Sequence, residues 1–429
     1  MISASFADTV LIVSLIVSLV AYVWVSKRDG SYLNILTPAF VISIPAYYLL
    51  PLFYTHMVGN DATPSSYIYV YATMAVESVV FAYFYLRSTK IPVRSPFAYS
   101  YGNFGLLSLA FLGLAVLMYA PVLWEFREYA LDPREIYKQT RTGFGVNFYT
   151  STALSYLAVI LALFSNWSVL KKVTVVVAGT ILVSLHGSKG MVLNVIFLLA
   201  LFVVYVARRR VGMLPSIVAA TAIGFVGLGL FAATMFLGDS PLEVLQSISE
   251  YSDYTRNAML VIDSKMPVQY GRLTFEANVI GRIPRVLLPN KPKNFGYMYL
   301  DEVFYPELLD QDIGAPSFGI GAQYADFGIF AIAYLAFFAG LKGWLARVFV
   351  NRLELTRHPA DFLLLAFFAD ISIFSVGGVG WLLPEALVAA AFLFLASRIG
   401  AAKMYRERFI PKPGLLPQSM RPSNSAGTV

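Results

Sequence analysis

Apolar runs of about 20 residues recur along the chain, the length an α-helix needs to cross a bilayer. They predict eleven spans, at about 6–25, 36–54, 67–86, 104–123, 149–166, 173–187, 190–207, 213–237, 317–341, 359–377 and 381–398. The runs at 173–187 and 190–207 are short and are parted only by HGSKG. The pattern therefore predicts an all-α polytopic membrane protein. One membrane domain fills 1–399, and a basic Pro/Ser-rich tail over 400–429 is expected to be disordered. The N-terminal run has no basic segment before it and is followed by Lys27 and Arg28, so it is expected to be a retained helix and not a cleaved signal.

The polar segments between the runs set orientation. Lys and Arg gather in alternate loops: Lys27 and Arg28; Arg87, Lys90 and Arg94; Lys171 and Lys172; Arg208 to Arg210; Lys342, Arg347, Arg352 and Arg357; then Arg398 onward. The intervening HMVGNDATPSS and SVGGVGW carry none. Positive loops stay cytoplasmic, so the N-terminus is expected in the periplasm and the C-terminus in the cytoplasm. Two periplasmic loops break the pattern, at about 125–148 and 238–316. Their length exempts them from the charge rule, but not from a reason for the charge.

Composition agrees with the hydropathy pattern. Hydrophobic residues make up 58% of the 429. Charged residues make up 13%, against roughly 25% in soluble domains. The net charge of +7 is loop charge and does not indicate nucleic acid. With no cysteine, disulfides, thiolate metal sites and cysteine nucleophiles are excluded. Three histidines, His56, His186 and His358, are too few for a multi-histidine metal site.

The loop charges carry the candidate chemistry. In the first loop, Arg134, Lys138 and Arg141 follow helical spacing and face acids at Glu125, Glu128, Asp132 and Glu135. An interfacial amphipathic helix would give the same pattern. In the second loop, GRIPRVLLPNKPK places Arg282, Arg285, Lys291 and Lys293 among three prolines, which stiffen the backbone. Cations held at fixed distances suit a diphosphate, and equally a phospholipid headgroup. The Tyr and Phe residues nearby suit sugar rings or a membrane-interface belt. HGSKG sets Lys189 at the start of a helix, where free backbone N–H groups attract anions.

GRIPRVLLPNKP, preceded by QYG and followed by NFG, resembles the signature of bacterial oligosaccharide repeat-unit polymerases, the O-antigen polymerase (Wzy) family. HGSKGMVLNVIFLLALFVVY is similar to a helix of that family with Lys189 in place of an arginine. FGIGAQYADFGIFAIAYL is similar to the helix after its large loop. An arginine followed eleven residues later by glycine occurs once in each long loop, as Arg134 with Gly145 and Arg285 with Gly296. The resemblance covers roughly 125–345. Position 189 and the span count depart from the family pattern.

That resemblance implies a GT-C-like membrane glycosyltransferase of the bacterial inner membrane, with its active site facing the periplasm. Undecaprenyl-diphosphate-linked oligosaccharides would be both donor and acceptor, joined into O-antigen, capsule or exopolysaccharide. The bilayer is its surroundings, a chain-length regulator is an implied partner, and no cofactor is needed because the donor is already activated. Arg285, Arg282, Lys291, Lys189, Arg256, Arg134 and Arg141 are candidates to hold the leaving diphosphate, Arg285 foremost. Asp326, Glu250, Asp253, Glu276 and His186 are candidates for the base. The family is expected to work without a metal; the acids at Asp301, Glu302, Glu307, Asp310 and Asp312 leave a divalent ion as an alternative. Two other readings stay open. Glu77, Asp370 and Glu385 lie in apolar runs, as a proton-coupled flippase or exporter would require. An O-antigen ligase would share the donor chemistry.

Overall fold

The computed structural model describes residues 3–59, 61–87, 103–130, 132–140, 144–222, 252–283, 287–292, 294–308, 316–371 and 384–398. All regular structure among them is helical. Six helices are long and apolar enough to cross a membrane: α1 (Ala4–Asp29), α2 (Thr37–Met57), α3 (Pro64–Arg87), α4 (Phe104–Glu125), α6 (Gly145–Phe164) and the pair α13–α14 (Ile320–Phe327, Ala331–Thr356). Before α6 stands the short α5 (Pro133–Gln139). At the other five expected spans the described residues form shorter helices, α7 (Val169–Ser184), α8 (Lys189–Leu201, continued by a wider turn over Phe202–Val206), α9 (Met213–Ala222), α15 (Pro359–Phe368) and α16 (Pro384–Arg398), while 223–237 and 372–377 lie outside the described residues. Among the described residues between α9 and α13 stand three small helices, α10 (Asp253–Asp263), α11 (Arg272–Asn278) and α12 (Met298–Phe304).

The core is an inside-out one. α6 sits at the centre, with 67% of its apolar window buried against 22–33% for the other five spans. The outer helices turn large apolar side chains outward, such as Ile16 on α1, Leu117 on α4 and Leu395 on α16, as a lipid-facing surface requires.

Without a hydrophobic drive between helices in lipid, small residues and polar bonds hold the bundle. Ser108 of α4 donates to the Ala158 carbonyl of α6 at 2.7 Å, and Ser151 of α6 donates to the Ala115 carbonyl at 2.8 Å, fixing the pair antiparallel. Ser14 of α1 donates to the Tyr71 carbonyl of α3 at 2.8 Å and lies 3.2 Å from the Tyr48 hydroxyl of α2. At the α3–α14 crossing, a Cβ on Gly343 would stand 2.3 Å from the Phe81 carbonyl oxygen, so only glycine permits that approach.

Two boundaries differ from expectation: α15 ends at Phe368, where the expected span ran to 377, and α14 runs long. α14 runs to Thr356, fifteen residues past the expected span end at 341. Lys342 and Arg347 are therefore not loop charges. Lys342 pairs with Asp370 and Arg347 lies 3.5 Å from Asp29, and these partners are what let the helix carry cations so far.

The outer loop is folded. Val261, Leu273, Leu300, Phe318, Ala322 and Ala325 form a small core of their own. Carboxylates tie it down. Asp263 at the end of α10 accepts from the Thr63 amide at 2.9 Å, the Thr63 hydroxyl at 2.6 Å and the Ser66 hydroxyl at 2.9 Å, bracing the residue that caps α3 by accepting from the Ser66 amide at 3.3 Å.

Candidate functional site

At the outer end of the bundle α10 brings Asp253, Arg256 and Asn257 against the tip of α2 and the end of α12. The Arg256 guanidinium lies 3.9 Å from the centre of the Tyr54 ring, a cation–π contact that holds it half-buried. Beside it the Tyr47 and Tyr254 rings lie 5.3 Å apart. Asn257 donates to the Ser317 carbonyl at 3.0 Å and accepts from the Tyr305 hydroxyl at 2.7 Å, so three segments meet at one amide. Tyr305 in turn sits within electrostatic reach of Arg256, Asp253, Glu307 and Asp301.

The two aspartates differ. Asp253 accepts from the Tyr254 amide at 2.9 Å; burial raises its pKa, and that bond and nearby Arg256 work against the rise. Asp301, one turn before Tyr305 on α12, is 5% exposed. Its Oδ1 has no hydrogen-bond partner among the described residues. Burial alone pushes its pKa up to about 6. A carboxyl that holds its proton to near neutrality, within electrostatic reach of Tyr305, is suited to proton transfer. Among the described residues no three His, Asp or Glu side chains converge as metal ligands.

Of the other sequence candidates, several are committed elsewhere. Lys291 points inward: its Nζ donates to the Gly281 carbonyl at 2.8 Å and the Ile283 carbonyl at 3.1 Å and lies over the Phe295 ring. It staples the proline-rich turn and does not present its charge outward. Asp326 is fully buried, and its two oxygens accept from the Leu273 and Thr274 amides at 3.0 and 2.6 Å. It caps α11, with each of its oxygens engaged by a backbone amide. Glu276 accepts from the Gly296 amide at 2.8 Å. Gly296 itself has φ +59° and packs on the Ala277 backbone, where a Cβ would come within 2.8 Å, so the second Arg–Gly pattern has a structural reason for its glycine.

His186 is fully buried, stacked on Tyr119 at 4.1 Å and met edge-on by Phe148, with Nδ1 2.8 Å from the Leu182 carbonyl. Arg285, Glu250 and Arg141 lie outside the described residues, as do Asp310, Asp312 and the tail from 400. Arg134 is placed on α5, Lys189 at the start of α8 and Arg282 in the turn Ile280–Arg282, without their side chains. In the spans, Asp370 pairs with Lys342, and Glu77 lies within electrostatic reach of both.

Sequence reasoning named Arg256 and Asp253, but it took Asp301 only as a member of an acidic run. Its position four residues before Tyr305 on a short helix was the one signal that could have set it apart.

The fold and this site define a multi-pass helical membrane protein with a structured outer loop that sets a guanidinium and buried carboxylates beside tyrosine rings. Among characterised proteins, the chain is similar to the O-antigen polymerases of Salmonella typhimurium and of Salmonella typhi, each 35% identical over 374 residues, which is 86% of this chain and 90% of the relative. The chain belongs to the O-antigen polymerase family. No protein-family model and no solved structure matches it.

Proposed function

We propose that the chain polymerises undecaprenyl-diphosphate-linked oligosaccharide repeat units into O-antigen at the periplasmic face of the bacterial inner membrane, through eleven spans with the N-terminus outside. Family membership supports the activity. The grouping of Arg256, Asp253 and Asp301 around Tyr305 is the observation that favours this end of the molecule as the reacting face.

In the reaction the non-reducing sugar hydroxyl of an incoming unit attacks the anomeric carbon of the donor glycan. The bond from that carbon to the diphosphate oxygen breaks, and its electron pair leaves with the diphosphate. The acceptor proton passes to a carboxylate. We assign that acceptor to Asp301, with Asp253 holding Arg256 in position. Arg256 and Arg285 stabilise the charge that grows on the leaving diphosphate, an effect that is large in a site shielded from water. Tyr47, Tyr54 and Tyr254 offer ring faces to sugars. No metal takes part in this scheme.

The ion pair of Lys342 with Asp370 gives one of the acids in the spans a structural partner, and family membership does not favour a proton-coupled exporter. The test supplies purified protein with lipid-linked repeat units and no nucleotide sugar. A ladder of longer glycans is expected. Arg256→Ala and Arg285→Ala are each expected to lower the rate about 10²–10³-fold while the protein stays folded. Product formed only when lipid A-core is added would mean a ligase, and full ladders from both variants would remove the leaving-group assignment.

A further inference from the structure

At the end of the bundle opposite the proposed reacting face lies a cavity of about 300 Å³. Five arginines line it, Arg28 from the end of α1, Arg208, Arg209 and Arg210 after α8, and Arg347 from α14. Only two acids do, Asp29 and Glu354. Asp29 is already shared. Its carboxylate accepts from the Tyr85 hydroxyl at 2.9 Å and the Tyr205 hydroxyl at 2.5 Å, and Arg347 stands 3.5 Å away. Arg347 forms the floor, 7% exposed, with its Nε buried and unpartnered. The four rim guanidinium groups have no carboxylate within 4 Å among the described residues.

The rim is built and not merely tethered. Tyr32 donates to the Val211 carbonyl at 2.9 Å, and the Val211 amide donates to the Ser31 hydroxyl at 3.2 Å. Arg210 packs against Gly30, a left-handed turn with φ +65°. Arg208 holds φ +55°, a conformation that costs a non-glycine residue, and its Nη2 donates to the Glu354 carbonyl at 2.7 Å. Arginine is kept where glycine would be easier, which marks its side chain as the reason for the position.

Apolar surface adjoins the rim. Trp24 stands exposed one helical turn before Arg28, and Val203 and Leu355 are exposed beside Arg208 and Glu354. A soluble anion would use only the arginines, whereas a lipid would use both surfaces. Guanidinium groups are weakly hydrated and bind phosphate oxygens in pairs, and basic pockets between transmembrane helices suit anionic headgroups.

We propose that this cavity binds the headgroup phosphate of an anionic phospholipid, whose acyl chains lie along the exposed faces of α1 and α14. The site is separate from the elongation chemistry, so its test reads binding and not polymerisation.

Full-length protein in detergent is titrated with phosphatidylglycerol or phosphatidylcholine and read by native mass spectrometry. The wild type is expected to retain one phosphatidylglycerol preferentially. Arg208→Gln, Arg209→Gln and Arg210→Gln together are expected to weaken it roughly 100-fold, about fivefold per arginine removed, with phosphatidylcholine unaffected. If the triple variant does not fold, Arg209→Gln alone, at an exposed position, is expected to show the single fivefold loss. Millimolar inorganic phosphate is expected to leave phosphatidylglycerol bound. Equal affinity in the variants would overturn the site, and displacement by inorganic phosphate would overturn the lipid as its occupant.

Discussion

Asp301→Asn separates a catalytic carboxyl from a decorative one, because the two make opposite demands on stability. In the native state burial raises Asp301 from its ordinary 3.8 to about 6, with no opposing partner. The folded protein therefore holds this proton more tightly than the unfolded chain does. Its contribution is fully favourable below about pH 3.8. It erodes as pH rises towards 6 and is gone above that. Since each tenfold change in acidity is worth about 1.4 kcal/mol, the ionised group costs the native state roughly 3 kcal/mol at pH 7.5. Asparagine keeps the shape and removes the charge. The variant is expected to melt higher than wild type at pH 7.5, to match it more closely near pH 4.5, and to make no ladder. Thermal unfolding in one detergent at both pH values, with the elongation assay alongside, reads all three. Melting curves that stay parallel at both pH values would refute the burial argument. A stabilised variant with full ladders would refute the role.

Further outcomes follow from the packing. Asp326→Ala leaves two buried amides of α11 unpaired and is expected to cost roughly 2–5 kcal/mol, read as faster hydrogen exchange over 269–283; unchanged protection there would mean that α11 does not depend on its cap. Gly343→Ala forces α14 off α3 and is expected to cost about 1–3 kcal/mol, seen as a lower melting temperature, with Gly343→Leu failing to accumulate in the membrane.

Six of the expected spans were legible because each depends on its own composition: an apolar run of sufficient length has few other fates in a bilayer. Helix α14 shows where that reading stops. Lys342 and Arg347 looked like the end of a span, since the acids that neutralise them, Asp370 and Asp29, lie far off in sequence. The same distance hid the site. Lys291 reads as an outward cation among prolines, yet the turn those prolines make leaves the Gly281 and Ile283 carbonyls without helical partners, and the ammonium folds back to satisfy them. Asp326 reads as an acid at the mouth of a helix until α11 is seen to rest its first turn on it. Arg256 was recognisable from its loop, and Asp301 was not, because what distinguishes it is burial and the lack of a partner, neither of which a sequence displays.

The carboxylates of Asp263 and Asp326 impose an order on biogenesis. The brace at the start of α3 waits for a residue 200 positions later in the chain, and α11 waits for one 53 positions later. While the segment that carries α10 is still being made, Thr63 caps the Ser66 amide with its own hydroxyl, and the Thr63 amide still lacks its carboxylate partner. The bracing of that end by Asp263 comes only once α10 has folded against it. A chain that stops before position 263 would thus lack the carboxylate that joins α10 to the start of α3.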